Sequence, residues 1–83
     1  MKYFVYMLIS QHNSLLYSYV GYTNNLKKRI DMHNKGRGAK FTRGRKWKIM
    51  YLEKFKTKNE AISREYYIKN NRSFRNLLKK KYS

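Results

Sequence analysis

The stretch Tyr3-Phe4-Val5-Tyr6-Met7-Leu8-Ile9-Ser10-Gln11-His12-Asn13-Ser14-Leu15-Leu16-Tyr17-Ser18-Tyr19-Val20-Gly21-Tyr22 decides the fold. Residues 2 to 10 are a short apolar run rich in aromatic and branched side chains, the composition of a strand buried on at least one face. A turn-like cluster, Gln11-His12-Asn13-Ser14, separates it from a second such run, Leu16 to Tyr22. An antiparallel hairpin is the economical reading. Strand alternation then projects Tyr6 with Phe4 and Leu8, and sets Tyr17, Tyr19 and Gly21 on one face. Gly21 beside Tyr19 leaves a notch that another backbone or a phosphate can approach.

Downstream, Thr23-Asn24-Asn25 supplies N-cap candidates for a helix running to about Asn34, with Lys35-Gly36 as its stop. Leu26 and Ile30 align at helical spacing with Arg29 and His33, so an Arg and a His lean toward the sheet while Lys27, Lys28 and Asp31 point to solvent. Residues 35 to 46 form a basic, glycine-punctuated loop without apolar periodicity. With Lys28, its Arg37, Lys40, Arg43, Arg45 and Lys46 are candidates for gripping a nucleic-acid strand; the plainer reading is a solvated segment. Trp47 to Phe55 alternates as a third strand, with Trp47, Ile49 and Tyr51 on one face and Met50 and Leu52 on the other. Thr57 with Glu60 makes a capping box that opens a second helix. Asn70-Asn71 interrupts it, and Ser73 is placed to cap a last helix carrying Phe74, Leu77, Leu78 and Tyr82. The expected architecture is α+β, a small three-stranded antiparallel sheet flanked by about three helices, in one domain over residues 1–83.

Within the second helix, Glu65 shares a face with Ala61 and Ile68, where a core residue belongs. An isolated charge in low dielectric is heavily penalised, so such a Glu must be paired, protonated or bound to a metal. The chain has 4 acids against 21 Lys and Arg. If a divalent cation binds, Glu65 is the leading ligand.

A chain of 83 residues buries only about 60% of its unfolded surface and supports one thin core. Aromatic content of 17%, with nine tyrosines, offsets this because each ring removes much area from water. The absence of cysteine excludes a disulfide framework and a zinc knuckle. No apolar run approaches the roughly 18 residues needed to span a bilayer, and the opening segment lacks a small-residue cleavage site, so a cytoplasmic protein without a membrane partner is expected. A formal charge of +17 points to a polyanion. Nucleic acid is the leading partner, DNA favoured over RNA, with the protein a monomer or weak dimer. Ribosomal proteins share this composition, so charge alone does not separate an enzyme from a passive RNA binder.

The order of these features resembles the GIY-YIG nuclease superfamily over nearly the whole chain. Phe4-Val5-Tyr6 stands at the first signature triplet and Tyr19-Val20-Gly21 at the second. Gly21 to Asn34 is similar to the stretch that follows, with its motif Arg at Arg29 and its frequent His at His33. Glu60-Ala61 and Arg64-Glu65-Tyr66-Tyr67-Ile68-Lys69 resemble the metal-binding helix. Compact size and Gly38-Ala39-Lys40-Phe41-Thr42-Arg43 resemble the small stand-alone bacterial branch. Two departures stand out: Phe4 replaces the first signature Gly, and the slightly long spacing from Tyr6 to Tyr19 suggests an enlarged hairpin loop.

The resemblance implies a metal-dependent endonuclease hydrolysing phosphodiester bonds of single-stranded or structured DNA, in repair or recombination. It implies Glu65 holding one Mg²⁺ or Mn²⁺, and Tyr6 taking the proton from the attacking water as a phenolate whose pKa of about 10 is lowered by basic surroundings. Tyr19 would orient that water, Arg29 would clamp the scissile phosphate, and His33 would bond Tyr6 or relay its proton. A site Asn of the family matches Asn70, Asn71 or Asn76 equally well. Plainer roles stand against these: strand tyrosines, a snorkelling Arg, a helix-end His, and a Glu65 paired with Arg64, Lys69 or Arg29. On that reading the chain is a catalytically weak or inactive nucleic-acid-binding module, or a ribosome-associated or RNA-packaging protein.

Overall fold

A computed structural model of the protein describes residues 2–38, 42 and 44–82. Strand β1 covers Tyr3–His12 and β2 Leu15–Thr23, paired antiparallel from Phe4 opposite Thr23 to His12 opposite Leu15. Only Asn13 and Ser14 join them, both at positive φ (50° and 70°), as a two-residue turn matched to the strand twist requires. The hairpin loop is therefore not enlarged. The long spacing from Tyr6 to Tyr19 lies in longer strands, and Gln11 and His12 belong to β1.

Helix α1 follows at Leu26–Asn34, capped by Asn25, whose side chain accepts from the Lys28 N–H. Strand β3, Lys48–Phe55, pairs antiparallel with the other side of β1, giving the order β2-β1-β3. Helix α2, Lys58–Lys69, opens on Thr57, whose Oγ1 accepts from Glu60 N–H (3.2 Å) and donates to Glu60 Oε1 (2.9 Å). Helix α3 spans Arg72–Tyr82. Asn71, not Ser73, stands at its start: Asn71 Oδ1 accepts from the Phe74 N–H at 2.9 Å. The side chain of Tyr82 lies outside the described residues. The fold is α+β, three antiparallel strands in one sheet with three helices.

The two faces of the sheet are covered differently. Val5, Met7 and Val20 pack against Ala61 and Ile68 of α2, with Phe74 and Leu78 of α3 closing the layer. On the opposite face Tyr6 and Leu8 meet Trp47, Tyr17, Tyr19 and, from α1, Leu26 and Ile30. Each fully buried aliphatic side chain contributes about 1.5–3 kcal/mol, which makes the thin core sufficient.

Simple alternation fails in β3. The register shifts between Met7, opposite Tyr51, and Leu8, opposite Ile49, leaving Met50 as an extra residue. Ile49 and Leu52 consequently share the Tyr6 face, while Met50 and Tyr51 join the Val5 core. The expected grouping of Trp47, Ile49 and Tyr51 is corrected by this bulge, and Trp47 itself precedes the strand.

Candidate active site

Tyr6 is 2% exposed at the middle of β1, directly opposite Gly21. On its Cβ side Gly21 is filled by the Tyr6 ring, although its backbone lines a cavity beside that ring. A Cβ on Gly21 would lie 2.7 Å from Tyr6 Cζ and 3.2 Å from Tyr19 Cε2, so the missing side chain is the space that seats the Tyr6 phenol. This corrects the expectation of a phosphate or backbone entering there.

Two turns of α1 carry Leu26, Ile30 and His33 onto the same face, and His33 is buried to 1% exposure. Its Nε2 lies 2.9 Å from Tyr6 Oη and its Nδ1 lies 3.0 Å from Thr42 Oγ1. Thr42 is itself fully buried, and its carbonyl accepts from Trp47 Nε1 at 2.9 Å. The loop backbone presses on the imidazole: a Cβ on Gly38 would lie 2.7 Å from His33 Cε1. Tyr19 packs on the same ring with centroids 4.9 Å apart. Sequence reasoning missed Thr42 as a site residue, because nothing local connects it to a His nine positions earlier.

Burial pushes the Tyr6 phenol above its ordinary range, with Tyr19 and Glu65 adding to the rise and Arg29 opposing it. The expected lowering of this phenol by basic surroundings is overturned. Loss of water around the phenol outweighs the pull of the Arg29 guanidinium. His33 is lowered below its ordinary 6.5, by burial first and by Arg29 second. At neutral pH the pair is a phenol beside a neutral imidazole.

A cavity of about 430 Å³ opens beside this pair. Tyr6, Tyr19, Gly21, Arg29 and Glu65 line it, together with Tyr3, Tyr22, Thr23, Asn24 and Lys58. Thr23 Oγ1 accepts from the Asn25 N–H at 3.1 Å, fixing the turn that places Arg29 one helical turn further on. Glu65 is not fully buried; its side chain is 17% exposed, and its ion pair with Lys69 Nζ is long at 3.4 Å. Neither Arg64 nor Arg29 is paired with it, since Arg64 is bonded to Glu53. Among the described residues no group of three His, Cys, Asp or Glu side chains could hold a metal, so Glu65 would act as a lone carboxylate ligand.

Other candidates stand apart. Lys28 lines a separate depression on α1 with Asn25, Lys27, Ile30, Asp31 and Asn34, and Arg37 is exposed. Arg45 and Lys46 lie at the hairpin end of the sheet. Lys40 and Arg43 lie outside the described residues. None of Asn70, Asn71 and Asn76 lines the cavity; its amide is Asn24, and Lys58 is a further cation that the sequence did not single out.

Residues 2–82 match the GIY-YIG catalytic domain. A UPF0213 protein of Clostridium perfringens is 57% identical over 67 residues, covering 80% of this chain and 69% of that protein. A UPF0213 protein of Oceanobacillus iheyensis is 48% identical over 69 residues, covering 82% and 77%. The solution NMR structure of a UPF0213 protein from Bacillus halodurans superposes with a TM-score of 0.50 at 34% identity, covering 94% of this chain and 82% of that one. GIY-YIG proteins are a nuclease family, generally metal-dependent and acting on nucleic acid. With the family's domain matched almost end to end and relatives this similar, the chain belongs to the GIY-YIG family, among the small bacterial UPF0213 proteins.

Proposed function

We propose that the chain is a metal-dependent endonuclease that hydrolyses phosphodiester bonds of DNA, single-stranded or structured, as one cytoplasmic domain serving repair or recombination. The observation that carries this reading is the convergence of Tyr6, Tyr19, Arg29 and Glu65 on one open cavity, with His33 behind Tyr6.

The donor chemistry suits a hard cation. Glu65 offers carboxylate oxygens in the cavity wall, and one carboxylate with water and phosphate oxygens is what Mg²⁺ or Mn²⁺ accepts, whereas a caged transition metal needs His or Cys. When bound, one such ion would supply charge stabilisation for the phosphorane and the departing oxygen. The protein's own groups do the rest. A water bonded to Tyr6 attacks phosphorus; its proton passes to the Tyr6 oxygen as the phenol's proton moves to His33 Nε2. Thr42 Oγ1 accepts from Nδ1–H in that tautomer and holds the ring in place. The relay needs no resting phenolate, in keeping with the raised Tyr6. Arg29 holds the phosphate through its planar donors, and Tyr19 orients the water.

The test is a cleavage panel of single-stranded, duplex and branched DNA, with RNA beside it, in Mg²⁺ and Mn²⁺. Wild-type protein cuts DNA, Glu65→Ala and Tyr6→Phe cut it at least about 100-fold more slowly, and chelator stops the reaction. Tight binding with no cleavage of any substrate would replace this reading with an inactive nucleic-acid-binding module.

A further inference from the structure

Strand β1 outruns β3. Lys48, the first residue of β3, pairs with Ile9, so Ser10–His12 project beyond the sheet on that side. The chain crosses this end through Gly44, at φ +75°, Arg45 and Lys46 before Trp47 enters the core. Two adjoining clefts result. One, of about 440 Å³, is lined by Ser10, Gln11, His12, Tyr17, Gly44, Arg45 and Lys46. The other, of about 240 Å³, shares Ser10, Gln11 and Lys46 and adds Ile9 and Lys48. Among the described residues three cations and no carboxylate line them, and the Arg45 guanidinium stacks on the Tyr17 ring at 3.8 Å. Stacking fixes the guanidinium plane in advance, which lowers the ordering cost of binding an oxyanion.

The position matters as much as the charge. The Ile9–Lys48 pair of the smaller cleft faces the other side of the sheet at the same end. Tyr17 stands opposite Ser10 and Gly21 opposite Tyr6, so the larger cleft and the Tyr6 cavity lie on one face of one strand pair, four residues apart. At strand rise that is about 13 Å, or roughly four base steps of a B-form strand and fewer of an extended one. We propose that the hairpin end is a second phosphate-backbone site, in which Arg45 and Lys46 hold the flank of the same nucleic-acid strand whose scissile phosphate sits at Tyr6, and Lys48, opposite Ile9 on the sheet's other face, holds that strand where it rounds the end of β1. This rests on the nuclease reading for the first site.

The experiment is equilibrium binding of fluorescently labelled single strands, from about four to about twelve nucleotides, in chelator so that nothing is cut. Wild-type protein gains affinity steeply once the strand spans both sites. Lys46→Ala/Lys48→Ala, at two exposed positions with little folding risk, loses about 10-fold on the long strand and nothing on the shortest. Its slope of log K against log salt falls by about 1.4 on the long strand, the value for two lost contacts to a single strand. Arg45→Lys keeps the charge but not the stack and weakens the long strand alone. Equal loss on short and long strands, or no change in affinity and slope, overturns the second site. Failure of the wild-type protein to bind any strand would instead sink the nuclease reading.

Discussion

The protein builds two clusters from the same three residue types, a tyrosine, an acid and an arginine, and uses them oppositely. On the α2 side, Glu53 accepts from Arg64 Nε at 2.9 Å and Nη2 at 3.0 Å and from the Tyr51 hydroxyl. Burial by itself would raise the Glu53 carboxyl, yet the bonds from Arg64 and Tyr51 outweigh it and leave it below the usual range. Both charges there are answered within 3.0 Å. Around Tyr6 the acid and the guanidinium stand apart across a cavity, and the phenol's bonded partner is a neutral imidazole. The closed cluster braces the fold, whereas the open one leaves its charges facing a cavity, as the proposed reaction requires.

Substitutions at matched positions sharpen that contrast. Glu65→Gln lowers cleavage by at least about 10³-fold and shifts Tm by no more than about 2 °C, read by single-turnover nicking and thermal melting. Glu53→Gln does the reverse, costing about 2 kcal/mol, or roughly 10 °C in Tm, while each folded molecule cuts at the wild-type rate. Equal effects of the two on either readout would erase the distinction. Next in size, Tyr6→Phe lowers kcat by about 10²–10³-fold and Tyr51→Phe does not.

Gly21→Ala is smaller in rate and larger in structure. Its Cβ meets the Tyr6 ring, so the phenol is displaced, with about 1–3 kcal/mol lost and activity down by about 10-fold. A Gly21→Ala protein as active as wild type would mean that Tyr6 does not need its seat.

The smallest effect is the acid limb of the pH–rate profile. His33 must be unprotonated to accept from Tyr6, and its pKa is lowered, so activity holds at pH 6.5 and falls only below it. Stability follows the same sign. The unfolded chain takes up the proton near its ordinary 6.5 while the folded protein resists it, so stability declines as pH drops below that value. A His33→Gln protein that keeps the same acid limb would assign it to another group.

Much of this was legible in the sequence because it is written in local periodicity. Alternation set Tyr6 with Leu8 and Tyr19 with Gly21, helical spacing turned Arg29 and His33 toward the sheet, and the strand register then joins the two tyrosines on one face. The caps at Asn25 and Thr57 could be read from residue type alone. What escaped depends on contacts between distant segments. The extra residue at Met50 satisfies the pairing with β1 and has no mark of its own in the sequence. Thr42 reaches His33 through a loop without periodicity. The sign of the Tyr6 shift was misjudged because total charge stood in for local burial, and the phenol senses the second.

If the proposed hydrolysis is right, Tyr6 and Glu65 act as one unit on one phosphate. The most direct measurement is a double-mutant cycle of single-turnover cleavage on one labelled DNA strand in Mg²⁺, comparing Tyr6→Phe, Glu65→Gln and both together. The double variant is expected to be hardly slower than the worse single one, as groups sharing a step behave. Losses that multiply, or wild-type cutting by either single variant, would contradict it.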